Sequence, residues 1–360
     1  MGRAYFQNII SGIFIVSLLS ACVKDKPTEP DMKQPATTEA TGNVYTICEG
    51  SLGNGNSTLY LYNYKTVTDH GNIYESVNTG SKLGDVFQSI RRIGDKWFLC
   101  INNSDKILVL DSSRKQIGVI NIPKPRYILP VSDTKAYVST LFSNKVYIIN
   151  PQSMSVNGTI DMPYQNPEFM VMRNNKAYIS TWDTACGNIY TIDIATDNVQ
   201  DAIAINNRAP HGMAIDKDGN LWVVSGNVYK GKPAAITQLN DKDEVMKTFY
   251  FSAKSDVIKP VFNLAKDVLY FIQVDYNGGT DNNGIYRMSI NDTQLPQTPF
   301  VAAQKFQYFW ALGVEPQSGN IYVGDPKGFI QKGAVAVYNT EGKQVNSFAV
   351  GVGPSSFYFE

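Results

Sequence analysis

The side chains best placed to do chemistry are aromatic rings and carboxamides set in four long, glycine-broken segments. Thr181–Gly187 carries Trp182 and Asp183, Gly226–Gly231 carries Tyr229, Asp275–Gly284 carries Tyr276 and Asn277, and Asp325–Gly333 carries Phe329. Segments that only joined strands could be shorter and more polar, so rings at these places suggest contact area for a ligand. Asp275 to Asn283 also has the oxygen-rich look of a calcium loop, but it lacks the spaced bidentate glutamate of an EF-hand.

The same inventory offers little to a catalyst. The chain has two histidines, His70 and His211, and no Gly-x-Ser-x-Gly, His-Glu-x-x-His or Cys-x-x-Cys pattern. Neither an activated nucleophile nor a zinc or redox-metal centre built from His and Cys is expected, and no catalytic residue is assigned. His211 directly follows Pro210 at the head of an apolar stretch. It lines a channel or touches a ligand, or else it is a satisfied structural histidine. Lysine plus arginine and aspartate plus glutamate number 32 each, which leaves no global charge to attract nucleic acid.

These segments need a scaffold, and the sequence repeats itself in a way that specifies one. Pro125-Arg-Tyr-Ile-Leu-Pro-Val-Ser-Asp-Thr-Lys-Ala-Tyr-Val-Ser-Thr140 and Pro167-Glu-Phe-Met-Val-Met-Arg-Asn-Asn-Lys-Ala-Tyr-Ile-Ser-Thr181 share Lys-Ala-Tyr triplets 41 residues apart. Further copies open at Pro210, Pro260 and Trp310, and one without the proline opens at Asp85. Each continues with an alternating strand stopped by Asn or Asp, such as Val146-Tyr-Ile-Ile-Asn150, and then a last strand such as Val156–Ile160. Four strands per copy at this period are the signature of a β-propeller blade, which cannot bury both of its faces alone. The chain ends on Gly353-Pro-Ser-Ser-Phe-Tyr-Phe-Glu360, an opening strand with no partner after it, while strands from Asn43 have no opening strand before them. Joined, they complete a seventh blade and remove the free sheet edge. The expected fold is all-β: a seven-bladed β-propeller over residues 43–360, closed by pairing of the C-terminal strand with the N-terminal blade.

In such a ring two sets of connections meet at one mouth. Those leading into the opening strands bring Arg126, Tyr127, Phe169, His211 and Trp310, with Glu168 and Tyr308 beside them. Those joining second and third strands bring Asn102, Asn103, Phe142, Trp182, Asp183, Tyr229, Tyr276, Asp325 and Phe329. Their convergence makes a broad recognition surface the expected site.

Residues 1–42 stand apart from this fold. Arg3 precedes an apolar run, Ile9 to Leu19, too short to span a bilayer and of the length of a signal-peptide core. It ends Leu19-Ser-Ala-Cys22, which resembles a bacterial lipobox, so residues 1–21 are expected to be removed and Cys22 to carry lipid. An ordinary secretory peptide with an incidental Cys22 is the alternative. Residues 22–42 are rich in proline, threonine and charge, the composition of a disordered tether. Lys24-Asp25 resembles the lysine-acid signal for display on the outer face of an outer membrane. The acyl chains would be the chain's hold on the membrane. Three further cysteines, Cys48, Cys100 and Cys186, allow at most one bridge. Cys48 and Cys100 lie in or beside apolar strand patterns, where a reduced buried thiol is the default, and Cys186 falls in a loop.

Ile47-Cys-Glu-Gly-Ser-Leu-Gly-Asn-Gly-Asn-Ser57, Leu83-Gly-Asp-Val-Phe-Gln-Ser89, the Lys-Ala-Tyr repeats and the terminal Gly-Pro-Ser-Ser-Phe resemble the YncE-like propeller lipoproteins of Bacteroidetes. The likeness runs over essentially the whole mature chain and is greatest to the surface cobalamin-binding members. It implies a non-enzymatic outer-membrane lipoprotein that captures cobalamin or a related corrinoid and passes it to a TonB-dependent outer-membrane transporter. A corrinoid is large, flat-sided and rimmed with amides, so it needs a wide mouth with aromatic faces and amide or hydroxyl partners. On that reading Trp182, Tyr229, Tyr276, Tyr127, Phe142 and Trp310 supply area, and Asn102, Asn103, Asp183 and Asn277 supply pairing. The repeated residues build the ring without choosing the ligand, so two alternatives stand beside this one. One is capture of a different nutrient (a glycan, haem or siderophore) for a TonB-dependent system. The other is a propeller enzyme, such as a lactonase or quinone-dependent dehydrogenase, against which the scarcity of histidine and of acid–base groups argues.

Overall fold

A computed structural model describes residues 41–276, 282–305 and 307–360. Residues 1–40, on which the expected signal segment, Cys22 and most of the expected tether fall, and Asn277 lie outside the described residues. The chain forms seven four-stranded antiparallel sheets, the blades of a propeller. Blade 1 combines Asn43–Cys48, Thr58–Asn63 and Thr68–Asn72 with the C-terminal strand Pro354–Phe359. Blades 2 to 7 follow in chain order, with inner strands Phe87–Ile93, Pro125–Ser132, Pro167–Arg173, Pro210–Ile215, Asp256–Phe262 and Ala311–Val314. Each inner strand packs against that of the next blade, and Ala311–Val314 against Pro354–Phe359, so the ring closes around an axis.

The burial gradient across a blade explains its sequence. Second strands such as Lys96–Ile101 and Lys176–Thr181 are buried over nearly their whole length, because neighbouring blades cover both of their faces. They therefore read as continuous apolar runs, whereas outer strands such as Ser155–Asp161 and Asn198–Ala204 are mostly exposed and polar. An apolar cluster fills each of the seven gaps between neighbouring blades, from Tyr45 and Trp97 in the first to Tyr322 and Val337 in the last. The repeated tyrosines tie these gaps. Tyr137 bonds the carboxylate of Asp197 in the next blade, and the Tyr178 hydroxyl donates to Asp243 Oδ2 at 2.9 Å in the one after. Lys135 pairs with Asp197 and Arg173 with Asp243 at the same places. The Lys-Ala-Tyr unit recurs because neighbouring gaps need the same tie.

Ring closure is antiparallel, with Tyr45 opposite Tyr358 and Thr46 opposite Phe357. Glu360 extends it: its N–H donates to Asn43 O at 3.0 Å, and its carboxylate meets Arg114 at 2.7 Å and Arg92 at 3.3 Å in blade 2. The Arg114 guanidinium also lies over the Trp97 ring, 4.5 Å from its centroid. All seven sheets, their cores and the closure lie between Asn43 and Glu360, within one compact unit, so this part is a self-contained folding unit.

Two local features depart from the sequence pattern. A short helix, Ile73–Val77, follows the outer strand of blade 1 and buries Tyr74, whose hydroxyl donates to Gln116 Oε1 at 2.7 Å. The inner strand of blade 6 begins at Asp256, ahead of the Pro260 that marks the repeat. Cys48, Cys100 and Cys186 are all buried free thiols; Cys186, although in a loop, directs its thiol to Asn188 O at 3.3 Å. Among the described residues no helix is long and apolar enough to cross a membrane.

Candidate binding site at the channel mouth

Six of the seven inner strands break register at or near their first residues. The breaks leave Gln88, Arg126–Tyr127, Glu168–Phe169, His211, Lys259–Pro260 and Ser355 without a partner in the ladder. A bulge of this kind frees a residue and re-aims its side chain. In blade 7 the strand begins only at Ala311, and Trp310 takes the equivalent place, its backbone N–H donating to Gly324 O at 2.9 Å. Proline is the local cause in four blades. Pro125, Pro167, Pro210 and Pro354 cannot donate to the ladder, and the residue before each turns through positive φ, from 44° at Lys124 to 66° at Gly353. Six blades thereby deliver a side chain to the same end of the ring, Gln88, Arg126, Glu168, His211, Lys259 and Trp310, while in blade 1 Ser355 stays buried with its hydroxyl donating to Ile47 O at 3.3 Å.

Half of this ring is bonded to itself. Arg126 donates through Nε to Glu168 Oε2 at 2.9 Å, through Nη2 to Glu168 Oε1 and through Nη1 to Gln88 Oε1. Gln88 Nε2 in turn donates to the Tyr127 hydroxyl at 3.1 Å. Burial disfavours the Arg126 charge, but Glu168 and its hydrogen bonds outweigh that, and the guanidinium stays charged. The other half is open. His211 and Lys259 are half-buried, and neither has a hydrogen bond or ion pair among the described residues. The Lys259 ammonium lies 6.0 Å from the centroid of the Trp310 ring, and the His211 ring meets Trp182 edge-on at 6.3 Å. Burial lowers the pKa of both. For His211, the Lys259 and Arg126 charges add to burial and bring it down to about 4, so the imidazole is neutral.

A row of rings borders the open half. Tyr229 stacks on Tyr276 with centroids 5.0 Å apart, Tyr276 meets Trp310 at 6.4 Å, and Trp310 meets Phe329 at 5.7 Å. Tyr308 joins Tyr276 edge-on at 6.1 Å. Trp310 is fixed by its indole N–H, which donates to Glu49 Oε1 at 3.2 Å. Asp256 sits buried beside the row, hydrogen-bonded to Tyr276, and burial raises its carboxyl to about 6. A cleft of about 350 Å³ opens among Gln304, Gln307, Gln331, Tyr308, Asp325 and Lys327. Another, of about 380 Å³, lies between blades 4 and 5 around Asn206, Asn207 and Arg208. Around the rim, the tips of the second-to-third-strand connections expose Leu52, Phe142, Tyr229 and Ile330 at 76, 74, 77 and 86 %.

The expected ligand residues divide by what holds them. Tyr229, Tyr276, Trp310 and Phe329 come together in the row, Tyr127 and Phe169 meet edge-on at 5.1 Å, and Trp182 joins His211. Asn102 is buried, with Nδ2 donating to Pro125 O at 3.1 Å. Asn103 holds Asp85 and accepts from Lys124 Nζ at 2.9 Å. Asp183 Oδ1 accepts from the Ala185 N–H at 2.9 Å. Those three side chains are taken up by the protein's own groups, and Phe142 stands on the rim with no ring contact among the described residues. Sequence reasoning misses Glu49, Gln88, Asp256 and Lys259. The position after the proline of each repeat is the signal that reaches Arg126, Glu168 and His211; Lys259 escapes it because it precedes its proline. Among the described residues no group of three or more His, Cys, Asp or Glu is placed to hold a metal ion.

The fold is similar to that of several solved proteins. A quinoprotein alcohol dehydrogenase-like protein from Bacteroides thetaiotaomicron aligns with a TM-score of 0.68 and 16 % identity, over 89 % of this chain and 78 % of that one. Kuenenia stuttgartiensis hydrazine synthase aligns with a TM-score of 0.58 and 14 % identity, over 74 % of this chain and 89 % of that one. The computationally designed Ika8 protein aligns with a TM-score of 0.55 and 9 % identity, over 89 % and 92 %. At these identities the likeness carries the fold and nothing about ligands. No curated protein is significantly similar in sequence. Residues 42–359, essentially the whole propeller, match a single family, and the chain therefore belongs to DUF5074, a family described as a domain of unknown function.

Proposed function

We propose that this chain is a non-enzymatic, lipid-anchored protein of the outer membrane that captures cobalamin or a related corrinoid and passes it to a TonB-dependent transporter. The observation that carries this reading is the row Tyr229–Tyr276–Trp310–Phe329 beside a cleft that offers Gln304 and Gln331, Gln307 being held by Asp325 and the Gln304 N–H. A corrin ring presents flat apolar faces and a rim of amides. Aromatic rings supply area at small entropic cost, and glutamines both donate to and accept from amides. The exposed tips Leu52, Phe142, Tyr229 and Ile330 surround the same mouth and suit a protein partner docking over it. The Leu19-Ser-Ala-Cys22 segment supports the anchor.

Titration calorimetry of residues 41–360 with cyanocobalamin tests the reading. One-to-one binding tighter than micromolar is expected, weakened about tenfold or more by Trp310→Ala. Absence of binding at micromolar ligand overturns it, and a parallel panel of glycans, haem and siderophores then asks which other nutrient the mouth takes.

A further inference from the structure

Lys259 is the group in the mouth that the ring itself does not complete. It sits in a β-bulge at a positive φ of 56°, a strained conformation for a non-glycine residue, directly before Pro260. Its neighbour His211 comes from the adjacent blade, and the two bulges can abut because residue 212 is glycine. A Cβ at Gly212 would fall 2.9 Å from Pro260 Cδ. The two carboxylates whose charges reach Lys259 are engaged elsewhere, Glu168 by Arg126 and Glu49 by the Trp310 indole. Glu49 and Glu168 are near enough to favour the Lys259 charge, and Arg126 near enough to oppose it, yet neither carboxylate forms an ion pair with it. A half-buried ammonium without a counter-ion is costly, and a ligand oxyanion would relieve that cost.

We infer that Lys259 and His211, with Trp310 as the wall between them and the aromatic row, form a subsite for one oxyanion of the phosphate class. Lysine offers a compact charge with three donors, and a neutral imidazole offers one directional N–H. Together they suit two oxygens of a tetrahedral anion and lack the planar fork that selects a carboxylate. The anion has two possible sources, a phosphodiester belonging to the ligand on the aromatic row or free phosphate. The first source rests on the corrinoid reading above, because the nucleotide tail of cobalamin contains such a diester; the second does not.

The test has two arms on the propeller, residues 41–360. In the first, methyl phosphate is compared with chloride at equal ionic strength by thermal unfolding, in the natural chain, Lys259→Met and Lys259→Gln. The proposal expects a phosphate-dependent rise in Tm in the natural chain that both variants lose. In the second, calorimetry compares cyanocobalamin with cobinamide, which lacks the tail. The natural chain is expected to prefer cyanocobalamin about tenfold, a preference that the variants lose. If methyl phosphate acts through Lys259 while neither corrinoid binds, the subsite stands with free phosphate as its source and the corrinoid reading falls. If the natural chain shows no specific response to methyl phosphate and no preference between the corrinoids, the subsite is overturned; the same follows if both variants respond like the natural chain. The natural-chain comparisons decide the matter even if the variants do not fold.

Discussion

Asp256 and His211 titrate across overlapping ranges with opposite effects on stability. Asp256, raised by burial from 3.8 to about 6, keeps in the folded state a proton that the unfolded chain has already released. Through that range the folded state binds more protons, so this group's contribution falls as pH rises. His211, lowered by burial from 6.5 to about 4, is neutral in the fold where the unfolded chain is charged. Its contribution therefore rises with pH over the same range and is lost on acidification. The natural chain should thus show a shallow stability profile between about pH 4 and 6, from two opposed slopes. Asp256→Asn should stabilise by about 1–2 kcal/mol at pH 8 and leave a profile that drops on acidification. His211→Gln should leave one that drops as pH rises through the same window. Urea unfolding of both variants at pH 4.5 and 7.5 reads this out, and two profiles parallel to the natural one would refute it. His211 was visible in sequence through its proline; Asp256 was not, because its partner Tyr276 lies 20 residues on, just past the neighbouring strand, and no local pattern encodes that.

Bulged strand starts and long connections are the elements that make the site, and they were legible to different degrees. The Pro-Arg, Pro-Glu and Pro-His dipeptides expose the bulge positions, since proline removes a ladder donor wherever it falls. Asn102 shows why a carboxamide is hard to read in sequence: it finds Pro125 O, 23 residues on, and a loop asparagine bonded to backbone reads the same as one awaiting a ligand. Asn102→Ala should therefore lower Tm while leaving the affinity of the folded fraction within about twofold, whereas Trp310→Ala should do the reverse. Equal loss of affinity in both variants would contradict this division. Gly212→Ala tests the abutment of the blade 5 and blade 6 bulges. A methyl group 2.9 Å from Pro260 Cδ must displace one of them, and a cost of about 1–3 kcal/mol in chemical unfolding is expected. A neutral effect would mean that the contact is slack.

At the scale of the molecule, the blade number and the closure were legible because unpaired strands at the two ends must find each other. The latch beyond the last strand was not, since nothing in Glu360 announces Arg114 and Arg92. Nor was the helix Ile73–Val77, whose five residues are too few to show a helical period. Glu360→Ala leaves the Arg114 guanidinium over Trp97 without its carboxylate and should cost about 1–2 kcal/mol in urea unfolding. Removing Pro354–Glu360 opens blade 1 and should yield an aggregating chain rather than a six-bladed one. The central claim is that the ligand is held at the mouth where the bulged strand starts and the aromatic row converge. Hydrogen–deuterium exchange of the propeller with and without cyanocobalamin addresses it most directly. The account predicts slowed exchange confined to segments 210–212, 226–231, 257–261, 308–311 and 325–333, with the outer strands unchanged. Slowed exchange in the outer strands alone, or no change anywhere at saturating ligand, would contradict it.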